Sequence, residues 1–369
     1  MWTELTPAEL LSADLAAPRI ADRAWLVRWD RSAPDAEELA RRVFPDPVDL
    51  RTSGTTGPGR VWRRTFDQLW AEAGLLADLL RPRTPAAMLS FAPPRHIFGL
   101  LATVLVPARL GIPVWYRPDL FGPMPEEQHP RWAVVAIPWV FSLLRRNISW
   151  VRSLDHLAVL HSTATLPAAA GGFLAAAGPG RVSVTEVFGS TETGGVAKRV
   201  WAGGNPPWEL FDDVSLVSGP DTGSGAEVPL RIAGPRLAAV PGEPPPADLT
   251  MDDFVRPVGD RAFSFVGRRS SLVKVNGRRL DLDELERSLR AVLPCADLAL
   301  VPVADDLTGE HLDLHVVPEN GHDIDVQAVR RHLGVLPRKV LVRDRIDRTD
   351  TGKTRRVNHA RTDGTGANR

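Results

Sequence analysis

Two kinds of hydrophobic spacing alternate along the first half of the chain. From Thr65 to Leu80 the apolar positions Phe66, Leu69, Trp70, Ala73, Leu76, Ala77 and Leu80 recur at three- and four-residue steps, which predicts an amphipathic helix. Met88–Phe91, Val114–Tyr116, Ala133–Ile137 and Leu157–His161 are short apolar runs and read as strands. Between them Leu100–Leu110, Val140–Arg146 and Pro167–Ala177 read as helices, the first bent at Pro107. Upstream, the pattern predicts a helix over Pro7–Asp14, a strand over Ala24–Trp29 and a helix over Ala36–Val43. Alternating strands and helices predict parallel sheets in an α/β domain.

After Val182 the texture changes to short strands separated by glycine and proline, as in a small antiparallel barrel or sheet. A third texture follows Gly267. It predicts a strand, a turn, a helix (Leu282–Val292), two strands (Asp297–Val303, His311–Val317), a helix (Val326–Leu333) and a strand (Lys339–Val342). The expected organisation is a large N-terminal α/β domain over 1–267, with the barrel-like part at its end, and a smaller α+β domain over 268–369. The residues from about Thr362 are expected to form a frayed tail.

Composition narrows the function classes. Acidic and basic residues balance at 45 each, so no charge footprint for nucleic acid appears. Cys295 is the single cysteine, which excludes an internal disulfide framework and a thiolate metal cluster. The start is polar and no apolar run reaches membrane-spanning length, so a cytoplasmic location without membrane partners is expected.

The chemistry concentrates in a few stretches. Thr52-Ser53-Gly54-Thr55-Thr56-Gly57-Pro58-Gly59-Arg60 sets four hydroxyls, three glycines and a cation in nine positions. Glycines let backbone N–H groups approach a phosphate, and hydroxyls and a guanidinium supply further donors. A Walker loop is excluded, because Arg60 and Val61 stand where its lysine and hydroxyl belong. Phe188-Gly189-Ser190-Thr191-Glu192-Thr193-Gly194 places a hydroxyl beside a carboxylate, a set suited to phosphate and magnesium. The same letters also describe a capped helix start. Asp252-Asp253 offers a carboxylate of the kind a ribose diol needs, or a solvated surface pair. Arg268 and Lys274–Arg279 form a basic segment around an expected turn, followed by Glu284 and Glu286. Lys353 follows a Thr-Gly turn near the C-terminus, and His96 sits in the apolar stretch Pro93–Leu100.

Taken together, in this order, these stretches resemble the motifs of the acyl-adenylate-forming superfamily, the acyl- and aryl-CoA synthetases and peptide-synthetase adenylation domains. Thr52–Gly57 matches its phosphate loop, Phe188–Glu192 its aromatic-Gly-Ser-Thr-Glu motif, and Gly267–Leu280 its hinge and first turn of the small domain. The resemblance covers about Thr52 to Arg356 and departs at several places, among them Pro58-Gly59-Arg60 at the end of the phosphate loop and Thr250-Met251-Asp252, where the family has Thr-Gly-Asp. Only about fifty residues precede the phosphate loop, Ser270 stands at the usual aspartate pivot, and Ser162–Leu166 differs from the family's Gly-Gly-Ala-Pro-Leu.

The resemblance implies roles. Thr52, Ser53, Gly54, Thr55, Thr56, Gly57 and Arg60 would hold ATP phosphates. Phe188 would lie against the adenine, Gly189 and Ser190 would belong to the nucleotide-binding set, Thr191 would touch the α-phosphate, and Glu192 would hold Mg²⁺. Asp253 would take the ribose (Asp252 being a second candidate), Arg268 would reach the nucleotide, and Lys353 would serve catalysis at the reacting phosphate. His96 would line the acid pocket. The implied activity is AMP-forming activation of a small aromatic carboxylic acid, with transfer to a thiol on CoA or on the phosphopantetheine of an acyl carrier protein. The wording around Trp62–Val114 is most similar to short ligases of pigment pathways, within secondary metabolism. Two alternatives stay open: activation of nitrite for diazotisation of an arylamine, and nucleotide binding without turnover.

Overall fold

The computed structural model describes residues 2–31, 35–51, 60–119, 122–167, 169–201, 203–217, 226–268, 272–275, 278–305, 309–319, 329 and 337–348. The chain divides into two compact units, the first running through Val266 and the second beginning at Gly267.

The first unit carries strands β1 (Thr3–Leu5), β2 (Trp25–Val27), β3 (Val48–Arg51), β4 (Val61–Arg64), β5 (Ala87–Ser90), β6 (Val114–Tyr116), β7 (Arg131–Ala136), β8 (His156–His161), β9 (Val182–Ser190) and β10 (Gly194–Val200). It continues through β11 (Trp208–Leu210), β12 (Ser215–Leu216), β13 (Val228–Ala233), β14 (Leu249–Pro257) and β15 (Ala262–Arg268). Thirteen of them join one sheet in the order β1-β2-β6-β5-β7-β8-β9-β10-β11-β15-β14-β13-β12. β6, β5, β7, β8 and β9 run parallel. From β9 onward β9–β10, β10–β11, β11–β15, β13–β14 and β12–β13 pair antiparallel. The antiparallel strands therefore extend the parallel sheet itself, with β9 as the seam.

The parallel strands are apolar at nearly every position because both of their faces are covered. The Phe66–Leu80 helix packs on the Leu100–Leu110 stretch, and Val140–Arg146 on Ala169–Ala177. The helix start at Thr65 is fixed by a capping box with Gln68. The segment expected to be one helix bent at Pro107 is a π-helical turn over Leu100–Leu105 followed by an α-helix over Val106–Leu110. Proline has no N–H to give the ladder, and the bonding upstream of it widens, with Val106 N–H reaching back to Leu101. Among the described residues no helix is long and apolar enough to cross a membrane.

The second unit holds the hairpin β16 (Leu272–Val275) and β17 (Arg278–Asp281), the helix Leu282–Arg290, and β18 (Cys295–Asp305), β19 (Gly309–Pro318) and β20 (Lys339–Val342). β18 pairs antiparallel with β19, and β20 runs parallel to it. Leu282, Leu289, Leu298, Leu300, Leu312, Leu314 and Val316 form its core, joined by Val329. The rest of the helix expected over Val326–Leu333 lies outside the described residues, as does the expected tail. Glu286 is buried and accepts the Leu300 N–H at 2.8 Å. It therefore serves the packing of this unit.

Candidate active site

In open α/β sheets, ligands collect beyond the carboxyl ends of the parallel strands. Here those ends carry Phe91–His96 after β5, Trp139 after β7, Ser162–Leu166 after β8, and the turn between β9 and β10.

That last turn is a β-hairpin tip and not a helix start. Ser190 pairs with Gly194 and Gly189 with Gly195, and a bulge lies between Gly195 and Ala197. Ser190 and Thr193 close the turn. The Ser190 N–H donates to Thr193 Oγ1 (3.1 Å), the two hydroxyls meet at 2.9 Å, and the Thr193 hydroxyl donates to the Gly194 carbonyl (2.9 Å). Thr191 and Glu192 stand half-buried at the tip. Gly194 has φ +66°, a conformation glycine takes readily. A Cβ on Gly189 would lie 2.1 Å from the Gly194 carbonyl oxygen. Both glycines are therefore demanded by the hairpin itself.

Phe188 is half-buried and packs against Trp208, Phe263 and Phe265 at centroid distances of 5.4, 5.6 and 5.9 Å. Arg199 lies 4.2 Å over the Trp208 ring and donates to Glu186 at 2.7 Å. Glu186 stands beside His161 in the β8–β9 register.

The stretch Thr52–Gly59 falls between two strands that pair as a hairpin, with Arg51 opposite Val61 and Val48 opposite Arg64. Thr52, Ser53, Gly54, Thr55, Thr56 and Gly57 lie outside the described residues, as do Ser270 and Lys353. Arg60 is exposed and stacks 4.5 Å over the Trp62 ring.

Sequence reasoning missed a buried ion network beside this hairpin. Arg64 Nη1 donates to Glu72 Oε2 at 2.7 Å, and Arg236 Nη1 lies 3.4 Å from the same oxygen. Glu72 Oε1 accepts the Gly195 N–H at 2.6 Å. Arg236 grips Asp213 bidentately at 2.6 and 2.8 Å. Arg64, Glu72 and Arg236 are at most 3% exposed. Burial alone would raise the Glu72 carboxyl, but Arg64 and Arg236 beside it hold it below the usual carboxylate range. One signal was legible. Glu72 stands at the edge of its helix's apolar stripe, three residues after Leu69 and four before Leu76, where an acid needs a buried partner.

His96 is half-buried and starts the short helix after Pro93-Pro94-Arg95. That loop is pinned by Thr103, whose hydroxyl donates to the Ala92 carbonyl (2.8 Å) and meets Ser90 Oγ at 2.5 Å. Gly99 permits the approach, since a Cβ there would lie 1.9 Å from the Pro93 carbonyl oxygen.

His161 is fully buried between the Ala136 carbonyl (Nδ1, 3.0 Å) and the Ala164 carbonyl (Nε2, 3.1 Å). Burial pushes its imidazole below the ordinary histidine range, only partly countered by Glu186. Beyond it Ser162 donates to the Val187 carbonyl at 2.8 Å, and Thr163 takes φ +80°. A β-branched residue is strained in that conformation, and it stands on the second Gly of the family's Gly-Gly.

Asp253 is 2% exposed and shares the buried side of β14 with Met251 and Val255, whereas Asp252 is exposed. β14 sits beside β15, which supplies Phe263 and Phe265 to the ring cluster. Arg268 is half-buried at the end of β15. Among the described residues no three His, Cys, Asp or Glu side chains converge as a metal cage. Glu192 with Thr191 fits the one-carboxylate share of a magnesium ion that phosphate oxygens complete.

No protein-family model matches the chain. It is similar to a 4-coumarate–CoA ligase of Rhodobacter capsulatus, 27% identical over 294 residues, covering 78% of this chain and 67% of that protein. Its fold is similar to the anthranilate CoA ligase AuaEII in complex with anthranoyl-AMP, with TM-score 0.66, 16% identity, and 84% and 65% of the two chains covered. It is also similar to the o-succinylbenzoate coenzyme A synthetase MenE of Bacillus subtilis in complex with ATP and magnesium, with TM-score 0.62, 17% identity and 84% and 68% coverage. The chain thus spans about two thirds of the length of these relatives. Its likenesses are to a class of CoA ligases and synthetases, and its fold is the one their solved structures show. Within that class its likenesses include ligases named for aromatic acids.

Proposed function

We propose that this chain activates a small aromatic carboxylic acid with ATP, releasing pyrophosphate, and passes the acyl group to a thiol of CoA or of a carrier protein. The observation that supports this most is that the strand following Thr52–Gly59 in the chain and the strand following the Ser190–Gly194 tip meet at one buried carboxylate, Glu72. Arg64 of the first strand donates to that carboxylate, and the Gly195 N–H of the second donates to its other oxygen. The relatives' names, and their complexes with ATP, magnesium and an aryl-adenylate, support the same reading.

In this reading an acid carboxylate oxygen attacks the α-phosphorus of ATP and pyrophosphate leaves. The Thr52–Arg60 hydroxyls, N–H groups and guanidinium hold the β- and γ-phosphates, and Thr191 meets the α-phosphate. Phe188 backs the adenine, Asp253 takes the ribose hydroxyls, and Arg268 reaches the nucleotide. His96 lines the acid pocket. Glu192 would hold a magnesium ion, which would supply positive charge against the negative charge that builds on the triphosphate. Lys353 touches the reacting carboxylate and phosphate as a point charge. The small domain from residue 268 acts as a mobile lid pivoting near Ser270. It withdraws Lys353 for the second step, in which a thiolate attacks the acyl carbon and AMP leaves.

An ATP–pyrophosphate exchange screen across benzoates, cinnamates, short fatty acids and nitrite tests the reading. Exchange with one aromatic acid, and thioester formed with CoA or a holo-carrier, is the expected result. ATP consumption only with nitrite and an arylamine selects the diazotising reaction, and no AMP release with any substrate leaves a binding protein. Lys353→Ala should abolish exchange and leave transfer from preformed adenylate largely intact. Equal loss in both assays would refute the division of labour between the two steps.

A further inference from the structure

We infer that Arg199, clamped by Glu186 and lying over Trp208, is a positioning residue for the nucleotide's base, fixing the ring of Phe188 against which that base lies. The inference rests on reading Phe188 as the platform for the adenine.

Three observations carry it. First, the strand registers set one row of side chains across four strands. Glu186 on β9 faces Arg199 on β10. Lys198 faces Glu209, so Arg199 stands level with Trp208 on β11, and Trp208 faces Phe263 on β15. Directly opposed residues in a sheet share a face and touch. Arg199 Nε donates to Glu186 Oε2 at 2.7 Å, its Nη1 donates to the Pro206 carbonyl at 3.4 Å, and its guanidinium lies 4.2 Å over the Trp208 ring. The plane of the guanidinium is thus held at its edge and on its face. Second, Phe188 stands on the same face, two residues beyond Glu186 and opposite Ala197. Ala197 carries only a methyl there, and the Phe188 and Trp208 rings meet at 5.4 Å. Phe263, the far end of the row, meets Phe188 edge-on at 5.6 Å. Two of the rings that hold Phe188 therefore belong to the row that Arg199 braces. Third, the ion pair is a poor choice for stability alone. The Glu186 and Arg199 side chains are 2% and 9% exposed, and a pair so buried is often matched in stability by apolar side chains of similar size. What an apolar side chain cannot do is cover an indole with a flat cation whose rotation a carboxylate fixes. A platform already held in one rotamer loses less freedom when the base arrives.

The test separates the base from the other reactants. In Glu186→Gln/Arg199→Met both charges leave together, and the full-length variant should melt within a few degrees of the native chain. Its Kd for AMP and its KM for ATP should rise about tenfold, while in the exchange assay its KM values for pyrophosphate and for the acid stay within about twofold. Arg199→Lys keeps the charge beside Glu186 and loses the flat group. It should show the same selective loss in smaller measure, and it decides the matter if the double variant does not fold. A folded variant that binds AMP as the native chain does, or one whose constants for AMP, acid and pyrophosphate weaken together, overturns this inference alone. Native protein that does not bind AMP overturns the nucleotide reading and this inference with it.

Discussion

The two halves of the large sheet present candidate site residues in opposite ways. In the parallel half, β7 and β8 are closed on both faces, and the candidate groups hang from loops beyond the strand ends, as His96 and Ser162–Leu166 do. In the antiparallel half the candidates sit on the strands themselves, and β14 alternates inward and outward so that Asp253 is buried and Asp252 exposed. The parallel half therefore positions chemistry by packing, the antiparallel half by register. β9 belongs to both, and it carries Phe188 and the Ser190–Gly194 tip. A one-residue slip anywhere along it would turn Phe188 away from Trp208 and Phe263.

Breaking the seam should have the largest effect. Gly189→Val drives a side chain into the Gly194 carbonyl, and backbone cannot retreat as a side chain can. We expect loss of exchange activity together with a drop of about 3 kcal/mol or more in unfolding free energy, read from urea melts. A variant as stable as the native chain would show that register at the seam is not what holds the tip.

Truncations within each half come next. Val159 and Leu160 face opposite sides of β8, and both are buried. Leu160→Ala should cost about 2–5 kcal/mol, and Val159→Ala should also be clearly destabilising, because neither face is free. On β14 the neighbours should split. Met251→Ala should cost about 2–5 kcal/mol and Thr250→Ala, on the exposed side, no more than about 0.5 kcal/mol. Equal costs on β14 would contradict the one-sided picture of that strand.

The smallest effect is a pH dependence in the parallel half. His161 has its pKa lowered by burial, so below about pH 6.5 the unfolded chain takes the proton before the folded one does. Its contribution is present above that pH and is lost as pH falls toward the folded value. Around the ring stand Glu186 and Arg199, Phe141, and the Ala136 and Ala164 carbonyls. Melts of native chain and His161→Asn between pH 7 and 5 should converge as pH falls, because the variant lacks that proton. A constant difference would place the titration elsewhere.

Much of the fold was legible from local pattern. The Phe66–Leu80 helix, the four central parallel strands and the α+β character of the second unit follow from spacing that each segment carries alone. The Leu100–Leu110 bend was legible in Pro107, but its form, a π-helical turn, depended on how the buried ladder closes around a missing N–H. The three-residue strand β1 escaped notice because it is too short to show a period, and its partner β2 lies twenty residues away. β4 went unread because its polar letters, Arg63 and Arg64, mask a strand whose arginines are paired, with Asp49 on β3 and Glu72 on the following helix.

The same division runs through the candidate site. Sequence alone fixed which residue types could meet phosphate, metal and sugar, because glycine spacing, hydroxyls and carboxylates are chemical properties of short stretches. Tertiary structure alone decided that Phe188 joins three other rings, that the Ser-Thr-Glu stretch is a hairpin tip, and that Asp253 and not Asp252 turns inward. It alone also set Glu72 against Arg64, Arg236 and Gly195. The reason is distance along the chain. Residues 123 apart meet at one carboxylate only after the sheet has formed, and their pairing energy depends on burial that no local pattern records.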